Sequence, residues 1–228
     1  VVEAYRRNQQ YWALWQFFAA NTPTAKPPPK IFRTRIKRLL EVDRAITVDQ
    51  QAGGRFAFFN SEGPGLGADV DYSAYGVFAL ALGLDMLDAG FKQSETVELL
   101  RACRPDLQRH YSVALKNPPV PAEHVPAEDR PGCPTYDHNG ISCADCRIFM
   151  VMQKVETIEA LPLPKKAGRR KAVIMRPAFY RGLSALSEEL HTMPNYYRKV
   201  FILEFAETAV LLTHYLGRAP RIKRGRGG

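Results

Sequence analysis

Apolar residues recur along this chain with two periods, one near 3.6 and one near 2, and the switches between them outline its elements. Residues 3–20 set Tyr5, Trp12, Trp15, Phe17 and Phe18 at helical spacings, which predicts a helix with an aromatic face docked over an apolar groove. Asn21-Thr22-Pro23 stops it, and Lys26-Pro27-Pro28-Pro29 makes a stiff connector because each proline fixes φ and lacks a donor. From Ile31 to Arg44 the spacing predicts a second helix. Ile31, Ile36, Leu39, Leu40 and Val42 form its buried side, and Arg33, Thr34, Arg35, Lys37 and Arg38 face solvent. Thr47 to Asn60 reads as a β-hairpin, with Gly53-Gly54 in the turn and Phe56, Phe58 and Phe59 after it. Ser73 caps a helix carrying Val77, Leu80, Ala81, Leu84 and Leu87, which Gly90 ends. A further short helix turns Val97, Leu99 and Leu100 inward, and Pro105 is expected to close this half of the chain.

A proline-rich linker is expected over 103–140, with six prolines between Pro118 and Pro134. Beyond it, 147–161 suits a strand, and 171–181 suits its partner, with Pro177 confining that partner to an edge or ending it. A short helix over 183–191 and a longer one over 196–216 follow. Phe201, Phe205, Ala209, Leu212 and Leu216 make one apolar side of the longer helix, which suits either core packing or a dimer surface. The fold class is α+β, mainly helical. Residues 1–25 form an N-terminal aromatic helix, and 141–228 form a small α+β unit with a long C-terminal helix and a basic tail.

Composition narrows the function classes. With 46% hydrophobic and 24% charged residues the chain is ordinary globular material, and its net charge of +9 favours a polyanionic partner. Lys26, Lys30, Arg33, Arg35, Lys37 and Arg38 run to Glu41 with no acid among them, so these cations lack the interleaved carboxylates of a plain solvated face. A second basic zone, Lys165 to Arg181, and a tail with five Lys/Arg from Arg218 onward add to the charge. No apolar run is long enough for a membrane span. The chain therefore reads as soluble and cytoplasmic, without a membrane partner.

The order of basic helix, aromatic hairpin and two helices suits a winged helix-turn-helix. Over about residues 30–102 it resembles the MerR-type DNA-binding domain, on the residues GRFAFF and then Gly90, Phe91, Glu95, Leu99 and Leu100 of the turn after the long helix. The resemblance implies a homodimeric, double-stranded-DNA-binding transcriptional regulator. RTRIKRLLEVDR stands in the recognition-helix position, and Arg55 lies on the wing, where it would meet phosphate or the minor groove. The expected DNA-binding residues are then Arg33, Thr34, Arg35, Lys37, Arg38 and Arg55.

Other chemistry is sparse. Cys133, His138, Cys143 and Cys146 form C-x4-H-x4-C-x2-C, a candidate closed zinc set with one chelating C-x2-C pair, the alternative being buried thiols. His191 and His214 join no H-E-x-x-H pair, and Glu204 with Glu207 reads as paired helix carboxylates facing solvent. No catalytic set emerges, so the chain is not expected to be an enzyme. A protein-interaction module built on a winged-helix scaffold is the alternative to a DNA-binding regulator.

Overall fold

In the computed structural model, residues 4–19, 27–46, 56–59, 72–118, 146–156, 172–174, 177–193 and 200–220 are described. They form α1 (Arg7–Phe18), α2 (Lys30–Ala45), α3 (Ala74–Asp88), α4 (Gln93–Ala102), α5 (Arg104–Lys116), β1 (Ile148–Glu156), β2 (Ala172–Ile174), β3 (Ala178–Arg181), α6 (Leu183–Thr192), β4 (Val200–Glu204) and α7 (Ala206–Arg218). The architecture is α+β and mainly helical.

Helix α3 is the centre because it is apolar all round. Tyr75 to Leu84 and Met86 are all buried, so it has no solvent stripe and α1, α2, α4 and α7 pack about it. The Ser73 hydroxyl accepts from the Gly76 N–H at 3.1 Å and caps its start; Gly90, at φ 87°, provides the left-handed residue that ends it. Helix α7 lies against α1, α3 and α5, and its Ala209, Leu212 and Leu216 share one core with Leu14, Ile36, Phe78 and Leu100. The elements expected in a C-terminal unit thus bury their apolar side against the N-terminal helices.

Strand β1 is common to every pairing in the sheet. It pairs antiparallel with β3 (Met150 opposite Phe179), with β2 (Val155 opposite Val173) and with β4 (Met150 opposite Leu203). Pro177 immediately precedes β3, a position where its missing N–H costs the ladder nothing. Alternation sorts the two faces. Ile148, Met150 and Met152 enter the helical core, and Phe149 and Val151 meet Leu186 of α6.

Four expectations change. Residues 200–204 form β4, not the start of the C-terminal helix, because Val200–Glu204 is claimed by β1 over five registered pairs. Pro105 does not close a unit and 104–116 is not linker: proline stands in the first turn of α5, where its missing N–H has no intrahelical acceptor anyway. Ile31 is 75% exposed instead of buried, since the buried arc of α2 runs through Phe32, Ile36, Leu39, Leu40 and Asp43. Phe56–Phe59, expected in a strand, is irregular; the rest of the expected hairpin, with its turn and Arg55, lies outside the described residues. So does most of the proline-rich stretch.

Candidate nucleic-acid interface

Helix α2 presents its cations because its other side is fixed twice over. Ile36, Leu39 and Leu40 lie on the side of α2 that packs on α3 and α4, Phe32 meets Trp15 and Phe18 of α1, and at its last turns Asp43 anchors the helix by charge. Asp43 is fully buried. Its carboxylate accepts the Ala57 and Phe58 backbone N–H groups at 2.9 and 3.0 Å and the Arg101 Nε–H of α4 at 2.8 Å. Arg101 also donates to the carbonyls of Asp43 and Ile46. The carbonyls of Phe56 and Phe59 accept from Arg104, so side chains of Asp43 and Arg104 take four backbone groups of this segment. Gly76 completes the clamp: a Cβ there would lie 2.5 Å from the Phe58 carbonyl oxygen, so only glycine lets α3 approach so closely.

On the solvent side of α2, Lys30, Arg33, Lys37, Arg38 and Arg44 are exposed, and Glu41 is the one acid among them. Lys37 and Glu41 pair at 3.4 Å with both side chains largely in water, a contact worth little to stability. The first turn of α2 holds no acid. Lys30 and Arg33 stand at the positive pole of the helix, where cations do not help the helix but add to its attraction for an anion.

The expected DNA-contacting residues divide. Arg33, Lys37 and Arg38 are exposed on the helix, as the pattern implied. Arg35 instead turns toward α3 and pairs with Asp88, and the half-buried Thr34 donates its hydroxyl to the Lys30 carbonyl at 2.9 Å. Arg44, not singled out by the sequence, has its guanidinium 4.9 Å above the Phe59 ring.

Cys146 is buried and in no disulfide; the other three residues of the candidate zinc set lie outside the described residues. Among the described residues no group of three His, Cys, Asp or Glu is placed to hold a metal, and no described helix is long and apolar enough to cross a membrane. Glu204 and Glu207 do not share a helix face as expected: Glu204 ends β4 and accepts the Ala206 N–H at 2.9 Å. Burial raises the Glu204 carboxyl above its ordinary value, with backbone hydrogen bonds opposing that rise.

Comparison of the chain with family models, with curated proteins and with solved structures yields no match.

Proposed function

We propose that the chain is a sequence-specific double-stranded-DNA-binding regulator that uses the exposed face of α2. The observation that carries this reading is the row of Lys30, Arg33, Lys37, Arg38 and Arg44 on a helix locked from behind by Asp43 and Arg101. A rigid cationic helix fits the major groove in width, and arginine forks match guanine edges while lysine meets phosphate. In this reading α2 acts as the recognition helix of a MerR-type winged domain, Arg55 serves the wing, and a homodimer spans two half-sites.

Selection of bound sequences from a random duplex pool tests it. The expected result is enrichment of one motif, repeated as half-sites, and its loss in an Arg33→Ala/Arg38→Ala variant. Recovery of an unenriched pool overturns sequence-specific recognition.

The protein-interaction reading is favoured by a different surface. Leu183, Leu190 and Ile202 are 45, 41 and 40% exposed on α6 and β4, where apolar side chains would suit a protein partner. Binding there would respond weakly to salt, unlike binding to DNA.

A further inference from the structure

The sequence reads α1 as a docking helix, yet its path past α2 brings more cations to the same side of the molecule. The two helices run antiparallel. At one end, Trp15 and Phe18 of α1 meet Phe32 of α2 edge-on, with ring centroids 5.3 and 5.9 Å apart. At the other, Tyr5 and Tyr72 exchange backbone hydrogen bonds of 2.8 Å, and the Tyr72 ring lies 5.8 Å from Phe59, over which Arg44 sits. The start of α1 is therefore held beside the last turns of α2.

Between these anchors, Arg7, Tyr11 and Trp15 succeed one another at four-residue spacing along α1, and Arg33 and Lys37 do so on α2. The charges of Arg7, Arg33 and Lys37 all act on the Tyr11 phenol, and those of Arg7 and Arg44 on Tyr72, so these groups lie near one another where α1 passes α2. Burial raises both phenols above their ordinary value, with the neighbouring cations opposing that rise, and a phenol hydroxyl can donate a hydrogen bond. Among the described residues, four cations thus share this groove with one acid, Glu41, and neither Arg7 nor Arg33 makes an ion pair.

We propose that the groove between α1 and α2 holds a backbone phosphate of bound DNA, with Arg7 supplying charge and Tyr11 a hydroxyl donor. This rests on the reading of α2 as a duplex-contacting helix and adds α1 as a second contact. A guanidinium and a neutral phenol suit a phosphodiester oxygen, and a contact to phosphate positions the duplex without reading its sequence.

The test uses the full chain and fluorescence anisotropy, with a motif-bearing duplex and a scrambled one, over a series of salt concentrations. Arg7→Gln is expected to weaken binding to both duplexes by the same factor and to flatten the plot of log affinity against log salt by about one unit. Arg7→Lys is expected to restore the slope. Tyr11→Phe is expected to lower affinity several-fold and leave the slope unchanged. Duplex binding by the wild type with a slope that Arg7→Gln does not alter overturns the groove assignment alone. Loss confined to the motif-bearing duplex also overturns it, because that result describes a base contact. Failure of the wild type to bind either duplex overturns both this inference and the regulator reading.

Discussion

Asp43 and Arg101 meet at 2.8 Å with 0 and 10% of their side chains exposed, joining α2 to α4 across 58 residues of sequence. The same carboxylate collects the backbone donors of Ala57 and Phe58, so the pair fixes α2 and the aromatic segment together. Removal of one partner from a buried ion pair leaves the other charged, dry and uncompensated, at a cost of about 3–5 kcal/mol. Asp43→Ala is expected to lower unfolding stability by that order in urea denaturation. In an Arg101→Leu background the same change is expected to cost at least about 1 kcal/mol less. Additive losses would contradict the coupling.

The glycines of two helices are expected to respond in opposite directions. Gly76→Ala drives a Cβ to 2.5 Å from the Phe58 carbonyl oxygen, a backbone atom that cannot swing away. Overpacking of that kind costs about 1–3 kcal/mol. Gly217, near the end of α7, would place a Cβ with nothing within 4 Å. Gly217→Ala is expected to stabilise by up to about 1 kcal/mol through helix propensity and reduced unfolded-chain entropy. Thermal melts of the two variants side by side check the contrast.

Local signals made most helices legible. The buried arc of α2, the Ser73 cap and the Gly90 stop of α3 are written in short-range spacing, which is why those elements stand where the pattern put them. Strand β4 was hidden because Phe201 and Phe205 also fit a helical period, and its state is decided by β1, some fifty residues earlier. Phe56–Phe59 is rich in aromatics like a strand, yet Asp43 and Arg104 take backbone groups of it instead. Of the candidate interface, exposed Arg33, Lys37 and Arg38 could be read from the helix face. The diversion of Arg35 to Asp88 and the approach of Arg7 depend on tertiary neighbours that no local pattern records.

Stability is expected to fall between about pH 4 and pH 6 on account of Asp85. Burial, and secondarily the charge of Asp88, raises its carboxyl from an ordinary 3.8 to about 6. The folded chain therefore retains a proton that the unfolded chain releases, so stability declines as pH rises through that window and levels off above it. Asp85→Asn removes the ionisation. The variant is expected to gain stability over the wild type at pH 7 relative to their difference at pH 4, as read from denaturation midpoints. An equal difference at both pH values would contradict the shift.

The arginines of α2 are expected to differ in their effect on DNA. Arg35 pairs with Asp88 on α3, so Arg35→Ala is expected to weaken duplex binding less than Arg33→Ala or Arg38→Ala, whose side chains are exposed. Parallel gel shifts at one salt concentration rank the three. A loss from Arg35→Ala that exceeds both others would mean the Asp88 contact opens on binding.

The exposed row on α2 is tested most directly by the salt dependence of duplex affinity, measured by anisotropy between about 50 and 200 mM salt for the wild type and an Arg33→Ala/Lys37→Ala/Arg38→Ala variant. The predicted result is a steep linear fall of log affinity with log salt for the wild type, and in the variant a weaker affinity with a slope shallower by at least about 1, from the lost phosphate contact of Lys37. Affinity insensitive to salt, or the same slope in both proteins, would contradict the account.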